Sequence, residues 1–173
     1  DALPIYLSGN NNSGSLISGS GFSTVNGGTI TFNGTSSYVN IPNLSFTGGA
    51  PLSINSWVYF ASGSGTWPMI AQSTNTNLLF GIQIGTGTFT GFNLFFGGSN
   101  IQTNLIGRPA VDQWYNVVGN YDGSRARIYV NGAPASVSAN TGTTQALSGF
   151  TLGNGSAGGN SYWKGNIANT QIY

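Results

Sequence analysis

The chain of 173 residues has four Lys or Arg, three acidic side chains, no His and no Cys, and only 4% of it is charged against 13% that is aromatic. The three acids are all aspartates, Asp1, Asp112 and Asp122, so acid–base and nucleophilic catalysis lose most of the groups they draw on and neither a disulfide framework nor a zinc–thiolate site can form. The net charge of +1, carried on Arg108, Arg125, Arg127 and Lys164, makes no basic stripe for nucleic acid, and no run reaches the roughly 20 apolar residues of a membrane-inserted helix.

From the N-terminus onward, short runs rich in β-branched and aromatic residues alternate with Gly and Asn-Gly turn signals. Such a pattern belongs to an all-β sandwich or barrel. Strands are predicted at 29–33, 38–41, 52–60, 69–72, 78–84, 92–96, 115–121, 126–130, 150–152 and 167–173, and no stretch has a helical period. Asn131-Gly132 predicts a two-residue hairpin with positive φ at both positions, and Asp122-Gly123 is expected to turn the chain in the same way. Pro134 cannot donate to a ladder and marks the third strand of this meander as an edge. The length suits one domain, 1–173, with a core of its own, whether or not the chain continues. Asp1 opens it without a basic, apolar leader, so any secretion signal would lie outside this sequence.

Side chains alternate between the faces of a strand. Along 52–60, Leu52, Ile54, Val58 and Phe60 share one face with Ser56, and Ser53, Asn55, Trp57 and Tyr59 share the other. The same splitting isolates Gln83 and Asn93 from their apolar neighbours and sets Asn116 and Asn120 with Trp114. If these strands are neighbours, one sheet face carries Asn, Gln, Trp and Tyr together.

Several segments resemble the laminin-G-like, or concanavalin A-like, jelly-roll family, in the versions found in bacterial surface proteins and phage virions. They are 7–12 (Leu-Ser-Gly-Asn-Asn-Asn), 30–41 from Ile30 through Asn33-Gly34 to Ile41, 52–58 around Trp57, 114–132 from Trp114 through Asp122-Gly123 to Asn131-Gly132, and 165–173. The resemblance implies two antiparallel sheets packed as a jelly-roll sandwich, with ligands at the concave face or the rim loops. Similar proteins carry acids around Asn33 and Ser36, where this chain has amide and hydroxyl groups, and that removes the carboxylates of a loop calcium site.

Glycoside hydrolysis needs two carboxyl groups about 5–9.5 Å apart, and Asp112 and Asp122 share no strand face, so no catalytic residue is expected. A weak calcium site at Asp112 or Asp122 would have to borrow most of its six to eight oxygens from backbone and amides; turn chemistry is the plainer role for both. Trp57 and Trp114 lie in strand motifs and are expected in the core, where large aromatics usually go. Trp67, Tyr162 and Trp163 sit among Gly, Ser, Thr and Asn in loop-like context, suited to stack on the apolar face of a sugar, with Tyr59, Asn55, Gln83, Asn93 and Asn116 supplying polar contacts. Arg125 and Arg127 are expected on one solvated side. Sequons occur at Asn11, Asn33, Asn43 and Asn154, as chance supplies in an Asn-rich chain.

These features point to a non-catalytic module, outside the cell or on a virion surface, that recognises a glycan or surface polymer. The alternative is a structural virion or filament component, a decoration, fibre or coat subunit, whose nearly uncharged surface packs against copies of itself or other structural proteins.

Overall fold

The structure is a computed structural model that describes residues 4–6, 13–24, 28–73, 81–85, 91–96, 99–101, 108–138, 146–155 and 161–173. Its strands are β1 Pro4–Tyr6, β2 Ser13–Ile17, β3 Gly21–Ser23, β4 Thr29–Asn33, β5 Tyr38–Phe46, β6 Leu52–Phe60, β7 Met69–Ser73, β8 Gly81–Gly85, β9 Gly91–Phe96, β10 Ser99–Ile101, β11 Gln113–Tyr121, β12 Ala126–Val130, β13 Ala133–Ser138, β14 Leu147–Leu152 and β15 Lys164–Ile172. Two sheets hold them, one in the order β1-β2-β5-β14-β7-β8-β9-β10 and one in the order β13-β12-β11-β6-β15-β4-β3. Neighbours pair antiparallel throughout, so the expected all-β two-sheet sandwich is what the chain forms. Among the described residues no helix is long and apolar enough to cross a membrane.

Local chemistry explains the best-marked elements. β6 and β12 begin and end where β-branched alternation predicts, and the burial of β6 alternates as its sequence does. Asn131 and Gly132 have φ of 50° and 79°, the expected tight hairpin, and β13 with Pro134 is an edge strand. The Asp122 turn is longer than expected. Tyr121 pairs Ala126, leaving four residues in the loop; the Asp122 N–H donates to Arg125 O at 3.1 Å, and Gly123 alone among them has positive φ. The predicted strand at 78–84 is described from Gly81 only; its first residues, Asp1 and the 7–12 segment with the Asn11 sequon lie outside the described residues.

The core lies between the sheets. Ile54, Val58 and Phe60 of β6, Val117 and Tyr121 of β11 and Ile128 of β12 meet Ile82, Ile84, Phe92, Leu94 and Phe150 from the other sheet. The sheets approach closely at Gly119, where a Cβ would stand 2.8 Å from Leu94 Cδ1 and 3.0 Å from Ile82 Cδ1. With its inner face spent on this core, β6 turns its alternate residues outward at the middle of the seven-stranded sheet.

Candidate functional site

On the outer face of that sheet the register sets out a grid. Trp114 pairs Tyr59, Asn116 pairs Trp57, Val118 pairs Asn55 and Asn120 pairs Ser53. On the other side of β6, Tyr59 pairs Asn166, Trp57 pairs Ala168 and Asn55 pairs Gln171. Aromatic and amide side chains therefore share one open face.

A groove of about 420 Å³ opens there, lined by Trp57, Trp114, Ala168 and Asn169. Trp57 is 43% exposed, and the Trp114 ring lies 5.6 Å from that of Tyr59, tilted by 56°. Ala168, directly across from Trp57, is small enough to leave the indole face open. Beyond it β15 bulges between Ala168 and Gln171, and Asn169 takes φ of 47°, a left-handed conformation that Asn tolerates better than most residues. The bulge re-aims this strand and sets Asn169 on the groove wall.

Beside the groove, on the same sheet face, runs a row of amides that hold each other in place. Asn116 Nδ2 donates to Asn55 Oδ1 at 2.8 Å, and Asn55 Nδ2 donates to Gln171 Oε1 at 3.2 Å. The hairpin clamps the row at its end, with Asn116 N–H donating to Asn131 Oδ1 at 2.9 Å and Asn131 N–H to Asn116 O at 2.8 Å. Fixed side chains lose less entropy when a ligand arrives.

At the Tyr59 end stands Asp112. The Tyr59 hydroxyl donates to its Oδ1 at 3.4 Å, and the Asp112 N–H donates to Phe60 O at 2.7 Å, with φ of 61°. The phenol of Tyr59 holds its proton above the ordinary range, first through partial desolvation of the ring and then through the nearby carboxylate. The groove offers two indoles and the Asn169 amide, with a phenol and further neutral amides on the face beside it, the mixed surroundings that take a ligand with apolar faces and hydroxyl edges.

The residues predicted for a site divide among four places. Tyr59, Asn55 and Asn116 come together on this face. Gln83 and Asn93 pair with each other on the other sheet, each 3% exposed, so the expectation of one shared polar face fails because these strands belong to different sheets. Trp67, 38% exposed, and Tyr162 lie in two joined end loops, where Gly65 N–H donates to Tyr162 O and Met69 N–H to Ser161 O. Trp163 is a correction. It is fully buried, 5.5 Å from the Phe60 ring, and its backbone N–H is tied to Gly153 O at 2.8 Å; no ligand outside the core reaches it. Trp57 and Trp114 are the converse correction, on the outer face and not in the core.

Asp112 and Asp122 flank the nine residues of β11, which at about 3.3 Å per residue puts them roughly 30 Å apart, too far to share an ion. Asp122 is already committed. Its Oδ1 accepts from Ser124 N–H and hydroxyl and from Arg125 N–H, its Oδ2 accepts from Arg127, and these bonds, Arg127 first, hold its carboxyl well below the usual range. Among the described residues no three carboxylates come together, and at the Asn33 turn one amide oxygen accepts from the N–H groups of Thr35, Ser36 and Ser37.

Among solved structures, domain 4 of the extracellular GH43 arabinanase of Geobacillus stearothermophilus, solved with arabinotriose, superposes with a TM-score of 0.75 at 17% identity, covering 93% of this chain and 82% of that one. A Bacillus subtilis carbohydrate-binding module, CBM66, gives 0.53 at 13% identity over 92% and 94% of the two chains. Trypanosoma rangeli sialidase gives 0.67 at 14% identity, covering 93% of this chain and 27% of that one. No curated protein matches the chain in sequence. The family model described as the concanavalin A-like lectin/glucanases superfamily matches residues 33–173.

Proposed function

We propose that this chain, which belongs to the concanavalin A-like lectin/glucanases superfamily, is a non-catalytic glycan-binding module whose site is the Trp57–Trp114 groove. The observation that carries the reading is the groove itself, with two indoles beside a self-supporting amide row on an otherwise uncommitted sheet face. A sugar ring stacks its apolar face on an indole while its hydroxyls exchange hydrogen bonds with amides; Asn169 and Gln171 Nε2 have no partner among the described residues and stand ready for that exchange. The scarcity of carboxylates supports a binding role, since a hydrolase cleft needs a close pair. Two of the similar structures are of proteins whose names state a carbohydrate ligand or role, in keeping with this assignment. A module of this kind belongs outside the cell or on a virion surface, where glycans are met.

A glycan array followed by calorimetry on Trp57→Ala, Trp114→Ala and Trp67→Ala tests the reading. Loss of binding in the first two with retention in the third supports the groove; the reverse pattern moves the site to the end loops. A second reading, a structural component packing against its own copies, is favoured by one feature: Phe22, 62% exposed, on the edge strand β3. The mass of the native assembly separates the two.

A further inference from the structure

Charge around the groove is lopsided. Each cation near the outer face is engaged or far off, Arg125 lying in the Asp122 loop at the opposite end of β11 from Asp112. The Arg127 guanidinium donates to Asp122. Lys164 lays its stem against the Gly34 turn and enters β15 four residues before Ala168, roughly 13 Å along the strand. Arg108 sits 5.4 Å from the ring of Phe60, a core residue. Asp112, in contrast, makes no ion pair among the described residues, and its backbone hydrogen bond and the Tyr59 hydroxyl pin it at the groove's end.

We infer that the groove selects neutral glycans over uronate- or sialate-bearing ones, with Asp112 as the specificity-determining residue; this rests on the glycan-binding reading above. A carboxylate on a sugar held between Trp57 and Trp114 would lie within roughly 10 Å of Asp112, which is two residues from Trp114 along the chain. It would give up hydration without gaining a cation in exchange. A neutral sugar meets neither cost. Near the surface, a unit charge at that distance weakens an anionic ligand about two- to fivefold at low ionic strength, and salt screens the effect over about 8–10 Å.

The test is an array of neutral oligosaccharides printed beside their C6-oxidised uronate counterparts and sialylated glycans, probed with wild type, Asp112→Asn and Trp57→Ala at about 20 mM and about 500 mM salt. Asn at position 112 keeps an acceptor for the Tyr59 hydroxyl and tolerates the positive φ. Wild type is expected to prefer the neutral member of a pair by about two- to fivefold at low salt, with the gap narrowing at high salt and in Asp112→Asn. Uronates or sialylated glycans bound as tightly as neutral ones at low salt, or a gap unmoved by Asp112→Asn, overturns the selectivity while Trp57-dependent binding keeps the site. Binding that ignores Trp57→Ala, or no binding to any glycan, overturns the groove reading and the selectivity with it.

Discussion

Trp57→Ala separates binding from folding, because its two costs follow from different halves of one side chain. With 43% of the residue exposed, a little over half of the indole is packed. A fully buried aromatic removes about 150–250 Å² from water, so this fraction is roughly 85–140 Å², and at about 25 cal/mol per Å² its loss lowers folding stability by about 2–3.5 kcal/mol. The exposed face is the part a ligand would cover. If it is an anchor, truncation costs about 2–4 kcal/mol of binding, a fall in affinity of about 30- to 1,000-fold. The assay is titration calorimetry against the best array ligand, run well below the melting temperature of the variant, with circular dichroism establishing that it is folded. Trp57→Phe keeps a ring and should recover part of both quantities. An affinity within about twofold of wild type in folded Trp57→Ala, with Trp67→Ala abolishing binding, would refute the groove assignment, since an anchor cannot be removed at so little cost.

Three further outcomes test the fold that carries the groove. Trp163→Ala should cost about 3–5 kcal/mol of stability in denaturant titration, whereas Trp163→Phe should cost less than a pure volume argument gives, because it also removes a buried Nε1 with no hydrogen-bond partner among the described residues. Gly119→Ala drives a Cβ into Leu94 and Ile82 across the sandwich and should lower stability by about 1–3 kcal/mol, read as a fall in melting temperature. Asp122 has a depressed carboxyl pKa, so its contribution is fully present above the unfolded value near 3.8 and fades as pH falls through the lower folded value. The melting temperature of wild type should therefore hold from neutrality to about pH 5 and drop below about pH 4, and Asp122→Asn should flatten that acid limb; an unchanged limb would show that the Arg127 pair adds nothing.

The strands that sequence reasoning finds are those whose local preferences agree with their place in the sheet. β6 and β12 alternate apolar and polar residues between turn signals, and their bounds emerge correctly. β1, β2, β3 and β10 were not predicted, and their composition explains it. Ser13–Ile17 reads Ser-Gly-Ser-Leu-Ile, with Ile17 its one β-branched or aromatic residue, and it is held extended by β5 through Ser15–Asn40 and Leu16–Val39. Partner strands distant in sequence override weak local preference. The Asp122 loop is longer than its sequence predicts for a related reason: Asp-Gly marks a turn, while the loop length comes from the register of Tyr121 with Ala126.

The site was half legible, and the exchange of Trp57 for Trp163 shows where the limit lies. Strand parity sets Trp57 with Ser53, Asn55 and Tyr59, opposite Ile54, Val58 and Phe60, while the general tendency of large aromatics to be buried points the other way. Parity is the stronger guide inside a strand because its period comes from the backbone itself, whereas burial tendency averages over many contexts. Trp163 failed in the opposite way. Gly, Ser and Asn around it describe a backbone free to turn, and they carry no information about which way one side chain in that turn will point. Its direction is decided by the Trp163 N–H bond to Gly153 O and the space beside Phe60, contacts between segments with no sequence signal to link them. The same holds for Asn169, whose place on the groove wall depends on a bulge against β6. Which face of a strand is polar can be read locally; which polar faces meet is a property of strand order, and Gln83 and Asn93, which pair with each other on the other sheet, mark that boundary.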